Sequence, residues 1–538
     1  MEKALYILHG SRSGNSRAIA HLARDYAEYL GIETSIESMQ DFNPEKLKRI
    51  RNLLIAVSTH GEGDPPFQAE EFYNYLHNQE VPELRGLNFS VLALGDSSYK
   101  HFCKTGKDIA KRFKKLGAAP VYPLVECDID FEDSARQWVR NTVDLIQKEV
   151  KPRVRPENNR ANFVFDLKLD DADDDYFRAM VLEKRLLTGR NSTKRIYNLR
   201  LDLKNSGFDY KPGDSIGIFC GNSRLLVDRI IRKLNFDPTH QVDVKGKKTL
   251  LKHALVNEFE LTVITTVVVQ KYARIVPNTD LLQLMESKKA MKQYVETRDI
   301  LDLITDFPGV ISPEEFVSIL RKLAPRLYSV ASCELSDRDQ VDLAVGIIEY
   351  VEGGRIHQGV GSAFLSDILE EGEKIPVTFE PNEKFRLPDD TDRAVIMIGT
   401  GTGVSPYRAF LQERNLTSNA ANWLFFGERN EATDFLYRED FLQFMENGVL
   451  TRLDMAFSRD QEERVYVSHK INENGKEVYR WLQDGAIVYL CGNKRTMAKD
   501  VRLALLEVFR KEGGMSEDKS LDYLEQLKSE KRFREDVY

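Results

Sequence analysis

Three short stretches near the start of the chain carry side chains suited to a phosphate and a flat ring. "HGSRSGNSRAIA" sets hydroxyls at Ser11, Ser13 and Ser16, with Gly14 and Asn15, at the mouth of a helix. Exposed amides at a helix N-terminus together with hydroxyl donors make an anion site. A Gly-Lys-Ser/Thr ending is missing, which excludes a nucleotide-hydrolysing P-loop and leaves a terminal phosphate as the fitting ligand. "STHGEGDPP" and "LGDSSYKHFC" follow the next two long apolar runs, and the second sets Tyr99 and Phe102 beside Gly95 and Asp96. Aromatics so placed can sandwich a planar ring. Each loop alone also reads as a plain N-cap or as packing within its own domain. Three on one sheet edge point to a common ligand.

A second set lies further along. In "RLYSVAS", Arg326 to Ser332, a guanidinium fork, an aromatic and a hydroxyl alternate, so a strand turns Arg326 and Tyr328 to one face. "GVGSAFL", from Gly359, has small residues that let the backbone close on a pyrophosphate. "AVIMIGTGTGVSPYRAFLQER" reads as strand, glycine turn and helix, with Ser405 as N-cap and Pro406 at the first helical position, which builds a dinucleotide cradle. "TRLDMAFSRDQEERVYVS" gathers Ser458, Arg459, Arg464 and Tyr466. Arginines with hydroxyls suit a 2′-phosphate, the mark of NADP over NAD, and a solvated charged loop is the alternative. Cys491 ends a strand just before Gly492, where a cysteine packs more often than it reacts. The chain closes on "RFREDVY", although most termini are ragged and polar unless tied down.

The elements that must position these residues follow from pattern and composition. A chain of 538 residues exceeds one hydrophobic core and divides into two to four domains. Apolar residues at 42% and charged residues at 30% fit a globular protein and exclude a disordered one. A net charge of -8 argues against nucleic acid or an anionic membrane as the main partner. The apolar run "LTVITTVVV" is half of what a bilayer span needs, and "MEKALYILHG" reads as a first strand rather than a signal peptide, so a cytoplasmic location is expected. Five scattered cysteines without a CxxC pair give neither a disulfide frame nor a metal site. The first 150 residues show a βα rhythm, which winds into a parallel sheet with ligands at the carboxyl ends of its strands. Beyond the acid- and proline-bearing stretch from Lys151, β-rich segments surround a helical region, and the last third returns to α/β.

The motifs in this order resemble the diflavin reductases over essentially the whole chain. The resemblance implies a flavodoxin-like doubly wound sheet, a ferredoxin-reductase-like FAD β-barrel with a helical insertion, and a Rossmann-like NADPH domain. Expected boundaries are 1–148 for the FMN domain, 149–175 for a solvated hinge, 176–390 for the FAD domain with its insertion at about 222–321, and 391–538 for the NADPH domain. For FMN it implies Ser11, Arg12, Ser13, Gly14, Asn15 and Ser16 at the phosphate. Ser58, Thr59, His60 and Gly61 border the ring, and Leu94, Gly95, Asp96, Ser97, Ser98, Tyr99, Phe102 and Cys103 carry the aromatic loop. For FAD it implies Thr262, Arg326, Leu327, Tyr328 and Ser329, then Ala344, Val345, Gly346 and Tyr350, then Gly359, Val360, Gly361 and Ser362, with Tyr538 flat on the ring. For NADPH it implies Gly401, Thr402, Ser458, Arg459, Arg464, Val465, Tyr466, Val467, Ser468 and Asp500. Ser329, Cys491 and Asp536 are the implied catalytic group. Departures from the family pattern are Arg12, His60, Ser468, Asn493 and Thr400.

The implied activity is electron transfer from NADPH through FAD and FMN to a haem or iron-sulfur partner. "NWLFFGERN", "DFLYREDF" and the "DVY" terminus are most similar to the branch of the family that serves assimilatory sulfite reduction, so its haemoprotein is the first expected acceptor. A soluble P450 or an iron-sulfur protein is the second, and a non-catalytic flavin-binding scaffold the third. "ECDIDFED", with Glu126, Asp128, Asp130, Glu132 and Asp133, is expected either to steer a basic partner or to cap a helix and line a solvated loop.

Overall fold

The structure, a computed structural model, describes residues 4–11, 14–60, 63–77, 81–97, 99, 101–150, 163, 165, 167, 176–244 and 246–538. The chain divides into two compact units: Met1–Asp175 with Ile230–Leu251 and Phe259–Lys322, and Tyr176–Arg229 with Lys252–Glu258 and Leu323–Tyr538. Among the described residues no helix is long and apolar enough to cross a membrane.

The first unit opens with β1 (Leu5–Gly10), α1 (Asn15–Tyr29), β2 (Thr34–Ser38), β3 (Asn52–Ser58), α2 (Phe67–His77), β4 (Asn88–Leu94), α3 (Lys104–Lys115), β5 (Ala119–Pro120), β6 (Val125–Cys127) and α4 (Glu132–Glu149). Its strands pair in parallel in the order β2-β1-β3-β4-β5, with β6 also on β4. Six of the seven residues of "NLLIAVS" in β3 are buried, as a strand covered on both faces requires. One face packs against Ile19, Tyr26, Trp138 and Val143, and the other against Phe72, Leu76, Ile109 and Phe113. Gly106 lets α3 approach the sheet closely, since a Cβ there would lie 2.4 Å from Ala93 Cβ. That approach fixes where the loop before α3 begins.

Most of the expected hinge lies outside the described residues. Of its described residues, Glu149 and Val150 finish α4, and Phe163, Phe165 and Leu167 are packed rather than solvated: Phe163 and Phe165 lie 4.9 and 4.6 Å from the Tyr26 ring, and Leu167 is buried. Arg140 stands 4.4 Å over Phe165. The physical reason is an alternating apolar pattern in "FVFDL", which lays one face on α1 and α4.

The insertion begins after β7 (Phe177–Leu186), β8 (Ile196–Asp202) and β9 (Ser215–Ile218). It contains α5 (Arg224–Leu234), the hairpin β10 (Gln241–Val244) and β11 (Lys247–Leu250), α6 (Leu251–Asn257), β12 (Phe259–Glu260), α7 (Thr266–Ile275), α8 (Thr279–Glu286), α9 (Lys288–Thr297), α10 (Ile300–Asp306), α11 (Pro313–Ile319) and β13 (Arg321–Lys322). Its helices start where the sequence signals starts. Asp299 and Ser312 form capping boxes with Asp302 and Glu315.

The chain returns through β14 (Arg326–Ser329), β15 (Gln340–Gly346), β16 (Glu349–Glu352), β17 (Arg355–Gln358), α12 (Val360–Ala363) and β18 (Lys374–Glu380). Six strands form an antiparallel sheet in the order β14-β9-β18-β7-β8-β15 around Val181, Leu201, Ile216, Leu343 and Val377. The last part comprises β19 (Val395–Thr400), α13 (Ser405–Thr417), β20 (Asn422–Glu428), α14 (Glu431–Asp434), α15 (Arg438–Glu446), β21 (Arg452–Phe457), α16 (Val467–Glu473), α17 (Gly475–Gln483), β22 (Ile487–Gly492), α18 (Met497–Gly513), α19 (Glu517–Ser529) and β23 (Phe533–Val537). It makes a parallel sheet, β21-β20-β19-β22-β23, whose two faces are filled by separate apolar clusters.

A buried ionic knot joins these two sheets. Asp342 accepts from Arg200 Nε at 2.8 Å and Arg408 Nη1 at 3.0 Å, and Arg408 also donates to Ala331 O at 2.7 Å. Burial alone would raise the Asp342 carboxyl, but Arg200, Arg408 and Asn198 hold it below the ordinary value.

Candidate functional site

The phosphate loop after β1 is shaped by Gly14, whose φ of 76° lies in the left-handed region that glycine adopts freely. The Ser16 amide donates to Ser11 Oγ at 3.1 Å. Ser16 Oγ is buried and has no hydrogen-bond partner among the described residues. Leaving a buried hydroxyl unmatched costs ~1–3 kcal/mol, so a ligand oxygen is the natural partner and these residues fit a phosphate. Asn15 starts α1, while Arg12 and Ser13 lie outside the described residues, as do Gly61 and Ser98.

The other two loops interlock. Ser58 ends β3; the Thr59 amide donates to Leu94 O at 2.9 Å, and Thr59 Oγ1 accepts from the Thr105 amide at 3.1 Å. The His60 amide donates to Asp64 O at 2.8 Å. Gly95 is tightly confined, for a Cβ there would lie 2.8 Å from Cys103 N and 3.0 Å from the Phe102 ring. Tyr99 is 45% exposed, which leaves its ring open to a ligand. Cys103 turns inward: its thiol donates to Ala93 O at 3.1 Å, and burial pushes its pKa up to about 12. Its side chain belongs to the core, and its backbone, at φ 56°, shapes the loop.

The acidic row behind this loop is engaged within its own unit. Arg321, its side chain 6% exposed, donates to Asp96 and lies 3.8 Å from Asp128, which accepts from the Ser97 amide at 3.0 Å. Lys322 pairs with Glu132, Lys271 with Asp130 at 2.8 Å, and Lys107 with Glu126 at 2.8 Å. The sequence offers two readings of the row, a patch that steers a basic partner or a helix cap with a solvated loop, and Glu132 and Asp133 do fall in the first turn of α4. Apart from Lys107, the cations that meet it come from more than 130 residues away, a distance no local pattern spans.

In the second unit, a Cβ on Gly361 would lie 2.8 Å from the Tyr328 hydroxyl and 3.3 Å from Arg326 Cγ, so the small-residue turn rests on the arginine and tyrosine of β14. Desolvation pushes the Tyr328 phenol well up. Ser362 Oγ accepts from the Ile348 amide at 2.8 Å, which ties the turn holding Gly359 and Val360 to the link between β15 and β16. Tyr350 is 38% exposed and lies 5.0 Å from the His357 ring at 7°, a flat stack that leaves area for another ring. Leu327 is exposed, and Ala344 and Val345 are buried in β15. Thr262 falls in the first unit, where its hydroxyl and amide donate to Glu260 Oε1 at 2.7 and 2.8 Å.

The glycine turn follows β19. A Cβ on Gly403 would lie 2.4 Å from Cys491 O, so only glycine lets the turn sit on the end of β22. Cys491 is fully buried, and burial followed by the Asp536 charge pushes its thiol far above the ordinary value, so it stays protonated. Asp536 is the register partner of Cys491 across the parallel strands β22 and β23. Its carboxylate accepts from Ser329 Oγ at 3.2 Å. The structure therefore brings Ser329, Cys491 and Asp536 together. Above them Tyr538 is held by its backbone, its amide donating to Gly492 O at 3.1 Å and its carbonyl accepting from Lys494 at 2.9 Å. Its hydroxyl lies 2.9 Å from Thr402 Oγ1, and Gly346 of β15 faces the same threonine, its built Cβ 3.5 Å from Thr402 Cγ2.

Ser458 and Arg459 follow β21, and Arg459 and Arg464 are exposed. Tyr466, Ser468 and Asp500 line a cleft of about 510 Å³ that runs on past Leu503 to Arg510. Val467 is buried beneath it and Val465 half-buried. Sequence reasoning missed two charged residues beside the glycine turn, Lys194 and Glu428, which pair with each other. An acid at the end of the strand after a glycine turn was the available signal.

Family models match the chain in three consecutive segments: Flavodoxin over residues 7–138, FAD binding domain over 170–364, and Oxidoreductase NAD-binding domain over 397–503. The chain is 40% identical over 544 residues to the sulfite reductase (NADPH) flavoprotein alpha-component of Bacillus subtilis (strain 168), covering 100% of this chain and 90% of the relative. It is 39% identical over 541 residues to that of Shewanella oneidensis, covering 99% and 89%, and 38% identical over 540 residues to that of Neisseria meningitidis serogroup B, again 99% and 89%. With the three family models following one another along the chain, and likeness running from end to end, the chain belongs to the family of sulfite reductase (NADPH) flavoprotein alpha-components.

Proposed function

We propose that the chain is the electron-supplying flavoprotein of a sulfite-reducing enzyme, with an FMN domain to residue 148, a connecting segment 149–175, an FAD domain 176–390 and an NADPH domain from 391. When bound, NADPH supplies a hydride, FAD takes up the electron pair and FMN hands electrons on singly. The protein supplies binding, orientation and electrostatics. Ser11 to Ser16 hold the FMN phosphate, with Tyr99 and Phe102 at the ring. Arg326 and the 359–362 turn hold the FAD pyrophosphate, with Tyr328 against the ring system. Ser458, Arg459 and Arg464 receive the 2′-phosphate, and the Gly401 to Gly403 turn receives the pyrophosphate.

The observation that carries this reading is the Ser329–Asp536 hydrogen bond with Cys491 in register beside it, under the contact of Tyr538 with Thr402. Asp536 is the one anion of the trio and offsets positive charge that develops on a departing nicotinamide. Ser329 orients it, and the neutral Cys491 keeps water out of the floor. Tyr538 stands over the place a nicotinamide must reach, so displacing it is part of coenzyme binding.

The acceptor is a haemoprotein partner, a reading supported by relatives named as the flavoprotein component of sulfite reductase, and the compartment is the cytoplasm, to which five free, buried thiols are suited. Purified protein should carry one FAD and one FMN per chain, reduce cytochrome c with NADPH, and make sulfide from sulfite only when that haemoprotein is added. Cytochrome c reduction without sulfide would move the acceptor to another haem or iron-sulfur protein. Absence of either flavin would overturn the reading.

A further inference from the structure

Glu428 ends β20, the strand beside the glycine-turn strand β19, and its side chain is only 2% exposed. In nucleotide-binding α/β sheets an acid at the end of that neighbouring strand takes the ribose 2′-hydroxyl, and its charge opposes a 2′-phosphate. Glu428 stands in that position. A Cβ built on Gly401 would lie 3.3 Å from Glu428 Oε1 and 4.0 Å from Lys194 Nζ, so both charges border the turn. The 2′-phosphate candidates are attached to the same strand tip. The Ser458 amide donates to Glu428 O at 2.9 Å, its hydroxyl donates to that oxygen at 3.2 Å, and the Arg459 amide donates to Arg429 O at 2.8 Å.

A bare carboxylate here would work against Arg459. Lys194 Nζ donates to Glu428 Oε1, and Glu428 Oε2 accepts from the Arg429 amide at 2.6 Å. Arg429 Nη1 in turn donates to Thr193 Oγ1 at 2.6 Å, which fixes the segment carrying Lys194 against the strand tip. We propose that Lys194 is a coenzyme-specificity residue: by pairing with Glu428 it masks a carboxylate that would otherwise reject the 2′-phosphate and favour NADH. The inference rests on the NADPH reading above and adds the device that sets the preference. The lysine acts through Glu428, so its effect disappears when that carboxylate is removed.

The test measures dissociation constants of NADP+ and NAD+ by calorimetry for the holoprotein and for Lys194→Met, Glu428→Gln and the double variant. Lys194→Met should weaken NADP+ by about ten-fold or more, the scale of a like-charge clash, while NAD+ holds or tightens. Glu428→Gln should bind NADP+ as well as wild type, and the double variant should recover most of what Lys194→Met lost. Equal weakening of both coenzymes by Lys194→Met, unrelieved in the double variant, would make Lys194 a plain phosphate ligand and overturn the proposal. Unchanged preference in Lys194→Met would overturn it too. Should Lys194→Met fail to fold, Lys194→Arg must keep the preference and Glu428→Gln must keep NADP+ binding, and loss in either counts against masking. A wild type that binds neither coenzyme would sink the underlying reading itself, which separates the two failures.

Discussion

Ser329 Oγ donates to Asp536 Oδ2 at 3.2 Å, although the two residues lie 207 positions apart. Ser329 ends β14 of the antiparallel sheet, and Asp536 sits in the last strand of the parallel sheet, so the bond spans the two sheets of the second unit. Two features fix it. The knot of Asp342 with Arg200 and Arg408 locks the sheets together, and the parallel pairing of β22 with β23 sets Asp536 level with Cys491.

In the proposed function, coenzyme choice rests first on the exposed arginines after β21. A charge-assisted contact contributes ~1.5–3 kcal/mol, so Arg459→Ala should raise the NADPH Michaelis constant by roughly ten-fold or more. NADH, which lacks the 2′-phosphate, should be nearly unaffected in the same steady-state assay. Equal losses would make Arg459 structural.

In the proposed function Tyr538 lies over the flavin ring and opposes coenzyme binding. Ring stacking contributes ~0.5–1.5 kcal/mol beyond area burial, and the nicotinamide must displace it along with the 2.9 Å contact to Thr402. Tyr538→Ala should therefore tighten NADP+ and narrow the gap between NADPH and NADH, read from binding constants and from kcat/KM for each. If preference and affinity stay put, Tyr538 does not cover the ring.

Arg321 stands behind the loop that follows β4, pairing with Asp96 and lying 3.8 Å from Asp128. Its side chain is 6% exposed and that of Asp128 is 7%, so Arg321→Met leaves a buried acid without its cation. Breaking such a pair costs about 3–5 kcal/mol. Denaturant unfolding of the variant should shift by about that much and FMN should be lost more readily, whereas an unchanged midpoint would show that the pair contributes nothing.

The thiols of Cys103 and Cys127 give the flavodoxin-like domain an alkaline limit. Burial raises both from the ordinary 9.0 to about 12. The folded state thus holds protons that the unfolded state releases, so stability is intact below about 9 and falls as pH climbs from there toward about 12. A variant with both changed to alanine should be less stable at neutral pH yet show a shallower decline over that window. An identical slope would assign the alkaline loss to other groups.

Much of this was legible beforehand because the signals are local. The βα rhythm, the glycine turn with Ser405 and Pro406 behind it, and the "RLYSVAS" strand each sit within a dozen or so residues, and period and cap chemistry act at that range. What escaped was set by distance. Lys194 and Glu428 meet across 234 positions, and Arg321 reaches Asp96 across 225. Phe163, Phe165 and Leu167 were a different failure, since their alternation was visible but was outweighed by the acids and prolines on either side. Cys103 shows the limit of motif transfer: the loop pattern named the residue, while only the packed sheet reveals that its thiol faces the core.

In the proposed function, the coenzyme reacts beside Asp536, which Ser329 holds next to Cys491. Single-turnover flavin bleaching by saturating NADPH, followed by stopped-flow absorbance in wild type and Asp536→Asn, tests it most directly. The variant should bleach at least about ten-fold more slowly, from loss of a charge-assisted contact made mainly in the transition state, with the NADP+ dissociation constant little changed. Bleaching at the wild-type rate, or a loss confined to NADP+ affinity, would contradict it.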